Sequence, residues 1–239
     1  MKAVFLSDAH LRSSSSRTSE MLLSFFRDFS GRYDHLFLVG DFFDFWFSGG
    51  DRFYAPFRPL VDRLLALREE GVTIHYFEGN HDFFLEDFFG RRGFVVVPRD
   101  LSIRLDGKLF YIAHGDTIDR DNRSYLRLRR FFRSGLFRKL QAALPPPILW
   151  KAAAVSSRFS KDYLSDPPAP LVRKMQNFAR EKFDEGYDAV VVGHCHQPLL
   201  RETVLDGRIR HFVTLGDWVR YFSYLVYDNG KFDLLFHQG

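Results

Sequence analysis

Five short clusters of acid, imidazole and amide side chains punctuate this 239-residue chain. They are Ser7-Asp8-Ala9-His10, Gly40-Asp41-Phe42-Phe43-Asp44, Gly79-Asn80-His81-Asp82, His114-Gly115-Asp116 and Gly193-His194-Cys195-His196. Carboxylate, imidazole and amide oxygen together suit hard or borderline divalent cations: Mn2+, Fe2+, Mg2+ or Zn2+. The set supplies seven candidate ligands, too many for one tetrahedral site and enough for two sites sharing a bridge. Two metals about 3.5–4 Å apart can hold a hydroxide between them and neutralise a phosphoryl group under attack. One histidine at a strand end is usually structural and one Gly-Asp is usually a turn, so the weight rests on the five together.

Something must bring these clusters to one place. Each follows a short run rich in Val, Ile, Leu, Phe or Tyr, at 3–6, 36–39, 74–77, 109–113 and 189–192, and similar runs occupy 212–215 and 223–227. Their length and composition predict buried strands. Helical patterns at 19–29, 53–70 and 171–185 alternate with them, which predicts an α/β fold with a partly parallel sheet. Ligands in such sheets bind beyond the carboxyl ends of the strands, where all five clusters lie. The closing part reads as antiparallel strands turning at Asp228-Asn229-Gly230.

The stretch 122–166 breaks the rhythm. Tyr125, Leu128, Phe132, Leu136, Leu140 and Leu144 recur at the spacing of one helix face, with arginines between, and Pro145-Pro146-Pro147 stops that helix. A second apolar stretch follows at 148–155. This predicts a helical insert on a core made of 1–121 and 167–239. From Arg120 to Lys161 there are eleven Lys/Arg and one acid, a net charge of +10, while the rest of the chain carries −6. A basic segment on an acidic body predicts an anionic partner, either nucleic acid or anionic lipid.

Composition excludes several classes. With 46% hydrophobic and 27% charged residues the chain has a core to bury. No apolar run reaches the ~18 residues of a membrane span. The first apolar run meets Ser7-Asp8 too early for a signal-peptide core, so a cytoplasmic location is expected. Cys195 is the single cysteine, which leaves no intrachain disulfide and no Cys-based zinc cluster. Cys195 is expected to pack, Asp82 and Asp116 to support loops, and His35, His75, His211 and His237 to be structural or surface residues.

The motifs D-x-H, G-D-x-x-D, G-N-H-D, H-G-D and G-H-x-H, in that order, resemble the signature of the calcineurin-like metallophosphoesterases. The resemblance implies a four-layer αββα sandwich with a dinuclear site. Asp8, His10 and His196 would hold one metal, Asn80, His114 and His194 the other, and Asp41 would bridge. His81 would bind the phosphoryl group or protonate the leaving oxygen, and Asp44 would orient His81. Within that superfamily the chain most resembles the UDP-2,3-diacylglucosamine diphosphatases of lipid A synthesis. The resemblance rests on Gly40-Asp41-Phe42-Phe43-Asp44-Phe45-Trp46, on His114-Gly115-Asp116-Thr117 leading into an Arg-rich run, and on Leu215-Gly216-Asp217-Trp218. It departs at Gly79-Asn80-His81-Asp82, where members carry G-N-R-D, and in reading Asp-Ala-His for Asp-Leu-His.

That resemblance implies hydrolysis of UDP-2,3-diacylglucosamine to UMP and 2,3-diacylglucosamine 1-phosphate, with two divalent ions, manganese by the family's habit. Asn80, His81, Asn122, Ser160, Lys161 and His194 would contact the sugar or phosphates. The insert fits a glycolipid substrate, because an apolar helix face ringed by Arg can lie in the headgroup layer of the inner membrane as a peripheral contact on its cytoplasmic side. Leu136, Phe137, Leu140, Ile148, Leu149 and Trp150 are the candidate acyl contacts. The alternative for this face is packing against the α/β body. A phosphodiesterase or nuclease of the same fold remains a second reading, although no stacking platform for nucleic acid stands apart from the helix face. A non-catalytic scaffold is a third, which the full ligand set argues against.

Overall fold

The structure, a computed structural model, describes residues 1–27, 29–46, 54–143 and 169–238. The assignments made at Ser160, Lys161, Ile148, Leu149, Trp150 and Pro145-Pro146-Pro147 lie outside them. In chain order the first half comprises β1 (Lys2–Leu6), α1 (Arg17–Arg27), β2 (His35–Val39), α2 (Arg58–Glu69), β3 (Thr73–Phe77), β4 (Val95–Val97), β5 (Asp100–Leu105) and β6 (Lys108–Ala113). The second half comprises α3 (Arg123–Phe132), α4 (Gly135–Ala143), α5 (Ala169–Asp184), β7 (Ala189–Val192), β8 (Pro198–Leu205), β9 (Arg208–Leu215), β10 (Ser223–Asp228) and β11 (Lys231–Phe236).

Among the described residues eleven strands build two sheets, ordered β11-β10-β1-β2-β3-β4 and β5-β6-β7-β9-β8. β1 to β4 run parallel in the first sheet, as do β6, β7 and β9 in the second. Antiparallel pairs close the edges at β10–β11, β5–β6 and β8–β9. Side-chain alternation decides how the sheets stack. Ala3 and Phe5 of β1, Phe37 and Val39 of β2, Phe110 and Ile112 of β6, and Ala189 and Val191 of β7 meet in one buried cluster between the sheets. The opposite faces of the same strands bury against helices. Val4 and Leu6 join Leu22 and Phe26 of α1 and Leu60, Leu64 and Leu67 of α2. Val190 and Val192 join Leu171, Met175, Ala179 and Phe183, which recur every four residues along one face of α5. The layers are therefore helix, sheet, sheet and helix, the αββα sandwich expected from the motifs.

The pattern at 53–70 includes a 3-10 turn at Ala55–Phe57 before α2 begins at Arg58. The single helix expected through Tyr125, Leu136 and Leu140 is instead two. Arg133 caps α3, and the Ser134 Oγ accepts from the Phe137 backbone N–H at 3.2 Å, starting α4 at Gly135. A serine that bonds a backbone N–H three residues on ends one helix and begins another whatever the apolar spacing.

The stacked rings of Phe5 and Phe37, 4.4 Å between centroids, sit at the middle of the inter-sheet layer. Phe5→Ala is expected to lower the unfolding free energy by about 3–5 kcal/mol, measured by denaturant titration.

Candidate metal centre

The parallel strands of both sheets deliver their carboxyl ends to one place. Ser7-Asp8 follows β1, Gly40-Asp41 follows β2, Gly79-Asn80 follows β3, His114 follows β6, Gly193-His194 follows β7 and Gly216-Asp217 follows β9. Backbone bonds lock these loops to one another. Asp8 N–H donates to the Gly40 carbonyl at 3.1 Å, His10 N–H to the Asp41 carbonyl at 3.0 Å, and Trp218 N–H to the Asp8 carbonyl at 3.1 Å. Among the described residues, ten other than glycine have positive φ, and Asp8, His10, Asp41, His194 and His196 are five of them. Such backbone strain concentrates at functional sites, where surrounding structure enforces it. Close approach also demands glycine. A Cβ on Gly79 would collide with the Asp41 carboxylate, and one on Gly193 would lie 2.7 Å from Asp8 Oδ2.

Two groups of donor atoms result, and Asp41 lies between them. Asp8, His10 and His196 form one, and Asp41, His114 and His194 another. Asp41 Oδ2 lies 3.4 Å from His114 Nε2 and 4.0 Å from His10 Nε2, while its Oδ1 accepts from the His81 backbone N–H at 2.8 Å. Asn80 Oδ1 lies 3.1 Å from His114 Nε2. The far ring nitrogens are held elsewhere. His114 Nδ1–H donates to the Val39 carbonyl at 2.9 Å, His10 Nδ1 lies 3.6 Å from Asp44 Oδ1, and His196 Nδ1 lies 3.4 Å from Asp217 Oδ2. Imidazoles anchored through one nitrogen present the other as a metal ligand.

This geometry is a test of fit. With carboxylates of Asp44 and Asp217 facing their Nδ1 sides, His10 and His196 turn their Nε2 atoms toward each other at 3.3 Å. The buried Asp8 Oδ1 faces both, at 3.8 and 3.5 Å, and has no hydrogen-bond partner. Lone pairs so arranged repel unless something positive sits among them. The residues therefore fit divalent cations in both halves. The proton affinities agree. Burial disfavours protonation of His114, but Asp41, Asp8 and Asp116 outweigh it and push its pKa up to about 10. His10 is likewise raised to about 8 against its burial, by Asp44, Asp41 and Asp8. Burial and then His114 bring His194 down to about 4, so the two rings of that half differ in charge.

A third group, His10, Asp44 and His81, also has ligand chemistry. Asp44 Oδ1 lies 3.6 Å from the Nδ1 atoms of both rings, its Oδ2 accepts from Arg12 Nε at 2.8 Å, and the Asp44 carbonyl accepts from His81 Nδ1–H at 3.0 Å. Asp44 therefore orients His10 as well as His81.

A family pattern described as "Calcineurin-like phosphoesterase" matches residues 1–198. The chain belongs to that family. Similar proteins include "UDP-2,3-diacylglucosamine hydrolase" of Porphyromonas gingivalis, 34% identical over 95% of this chain and 94% of the relative. Proteins of the same name from Photorhabdus laumondii and Stenotrophomonas maltophilia are 27% and 29% identical over 98% of both chains. A solved structure described as "a Novel Archaeal Phosphodiesterase" matches with a TM-score of 0.50 and 14% identity over 99% of each chain, a likeness of fold.

For a calcineurin-like phosphoesterase the structure brings together Asp8, His10, Asp41, Asp44, Asn80, His81, His114, His194 and His196. Asn122 lies apart in role: its side chain caps α3, accepting from Tyr125 N–H at 3.3 Å and from Ser124 Oγ at 3.1 Å. Asp82 holds loops, accepting from the backbone of Asp41, Phe42, Phe43 and Gly79 and from the Tyr76 hydroxyl. Asp116 accepts from Tyr125 Oη at 2.8 Å and from Arg129. Sequence reasoning did not assign roles to Arg12 and Asp217, although Asp217 stood in the quoted Leu-Gly-Asp-Trp signature.

Metal ligands must shed their protons, so a cation competes with the protons on His114 and His10. Because both pKa values are raised, this competition is strongest at low pH and weakens as pH rises toward about 8 to 10. Apparent Mn2+ affinity is expected to rise between about pH 6 and pH 8, by about tenfold per unit for each displaced proton, with proton release seen by calorimetry in buffers of different ionisation enthalpy. A flat affinity would contradict it.

Proposed function

We propose that this chain hydrolyses the diphosphate of UDP-2,3-diacylglucosamine, releasing UMP and 2,3-diacylglucosamine 1-phosphate. The observation that carries the reading is the Asp41 carboxylate set between the ring nitrogens of His10 and His114, in a chain whose full-length relatives bear that hydrolase name. Asp8, His10, Asp41 and His196 would hold one divalent cation and Asp41, Asn80, His114 and His194 the other, with Mn2+ the ion we favour. Bound there, the pair would supply a nucleophilic oxygen from water at neutral pH and neutralise charge on the phosphoryl oxygens.

The chain's own groups orient the reaction. His81 is buried beside Asp41 and donates through Nδ1–H to the Asp44 carbonyl, which assigns Nε2 as the ring's acceptor nitrogen. Burial lowers its pKa, so the ring is neutral before substrate arrives, and a proton drawn from solvent water as the anionic phosphoryl group enters would let Nε2 donate to a phosphoryl oxygen. Asp44 fixes that ring and keeps its own carboxyl low against the cost of burial, through His10, His81 and Arg12. Asn80 and His194 line the same place, consistent with substrate contact.

The insert supports a glycolipid. Leu128, Phe131, Leu136 and Leu140 of α3 and α4 are all exposed, Leu136 by 62%. Phe137, assigned with Leu136 and Leu140 to acyl contacts, instead packs its ring against Phe131, Phe132 and Phe83. Not every insert cation awaits an anion either, since Arg129, Arg133 and Arg138 pair with Asp116, Glu78 and Asp87 of the body. Among the described residues no helix is long and apolar enough to cross a membrane. We place the protein at the cytoplasmic face of the inner membrane as a peripheral enzyme, with the exposed leucines reaching the acyl layer.

UMP release from UDP-2,3-diacylglucosamine in detergent with Mn2+, abolished by chelator, is the test. Cleavage of a simple aryl phosphodiester or of nucleic acid alone would move the substrate elsewhere. Asp41→Ala is expected to abolish turnover and metal loading together, whereas His81→Gln lowers kcat by about 100-fold or more with metal content unchanged. Leu136→Ser with Leu140→Ser is expected to raise KM for the lipid several-fold and leave aryl phosphodiester cleavage unchanged; equal effects on both would remove the insert from lipid binding.

A further inference from the structure

Among the described residues, the insert reaches the metal cluster on its Asn80–His114–His194 side. Arg133, at the end of α3, is 15% exposed and spends its guanidinium on three acceptors of the body. Nη1 donates to Glu78 Oε2 at 2.8 Å and to the Pro98 carbonyl at 2.9 Å, and Nη2 donates to the Gly79 carbonyl at 2.8 Å. That last carbonyl belongs to the peptide that carries Asn80. The Gly79 N–H donates to Asp82, so Arg133 and Asp82 clamp the residue from opposite ends. One and two turns earlier in α3, Arg129 and Tyr125 hold Asp116, two residues beyond His114. The Tyr125 ring also lies 6.5 Å from the ring of His194.

The other half is supported differently. Asp8 Oδ2 accepts from the Ser7 hydroxyl and from the His194 backbone N–H, His10 faces Asp44, and His196 faces Asp217. All of these supports lie outside 122–166. We infer that Arg133, with Arg129 and Tyr125 beside it, is a positioning device for the Asn80–His114–His194 half of the centre, so that the insert buttresses that cation position. Only a guanidinium can do this from one side chain, because its planar fork meets several fixed carbonyl and carboxylate acceptors at once, where an ammonium cannot. A segment that also meets substrate thereby governs how firmly one of the two cations is held.

This inference rests on the two-cation reading above. The test is metal counting on the full chain reconstituted with Mn2+ and desalted, with the spin-coupled or isolated state of Mn2+ read by electron paramagnetic resonance. The wild-type chain is expected to hold two Mn2+ as a coupled pair. Arg133→Lys, which keeps the charge beside Glu78, is expected to fall toward one Mn2+ with an isolated-ion signal and to weaken the second site by about tenfold or more. Asp116→Asn, which releases Arg129 and keeps the fold's shape, is expected to do the same through the other anchor. Arg138→Met should keep both ions, because its partner Asp87 lies in no ligand loop. Wild-type affinity at both sites in Arg133→Lys and Asp116→Asn overturns the inference, as does loss of both ions together or an equal loss in Arg138→Met. A wild-type chain that takes only one Mn2+ removes the two-cation reading and this inference with it.

Discussion

The Asp41 carboxylate is the constraint around which the molecule is arranged. One of its oxygens is spent on the His81 backbone, and the other stands between histidines from strand ends of both sheets. Asp8, the orphaned partner of His10 and His196, adds a second buried acceptor. Acceptors packed this closely out of water are costly unless positive charge lies among them. Protons serve in the free protein, as the raised affinities of His114 and His10 show. Divalent cations would serve better, since two of them meet the carboxylates and all the lone pairs at once.

The fold exists in a form that can hold this cluster because its strained parts lean on its well-packed parts. Phe5, Phe37, Phe110 and their neighbours fix the two sheets face to face, and the parallel strands then end at one level. Bonds such as Trp218 N–H to the Asp8 carbonyl and His114 Nδ1–H to the Val39 carbonyl tie one sheet's loops to the other's. Left-handed backbone at Asp8, His10, Asp41, His194 and His196 costs energy, which the buried aromatic layers can bear. The high phenylalanine content has part of its use here: Phe42 and Phe43, which follow Asp41, pack with Phe57, Phe88, Phe89 and Trp46 in one buried cluster.

How much of this could be read in the sequence depended on where each element lies. Strands buried on both faces, such as β1 after Lys2 and all of β7, are apolar and were legible. The unread strands β4, β5 and β8 are all sheet edges. Leu101, Ile103 and Leu105 alternate with exposed polar residues, and β8 carries Arg201, Glu202 and Thr203, so their strand character comes from pairing with neighbours rather than from composition. The candidate ligand residues stood out in the sequence because their types are rare in combination. Arg12, Asp217 and Arg133 act through partners distant in sequence, and an arginine count could not separate Arg133, half-buried on Glu78, from exposed Arg127. The apolar spacing that promised one helix across 125–144 could not show that Ser134 would cap a second.

Anomalous diffraction from a crystal grown with Mn2+ tests the central claim most directly. Two peaks are predicted, one on each side of Asp41, the first among Asp8, His10 and His196 and the second among Asn80, His114 and His194. A single peak, or a peak held by Asp44 and His81 with none beside Asn80, would contradict it.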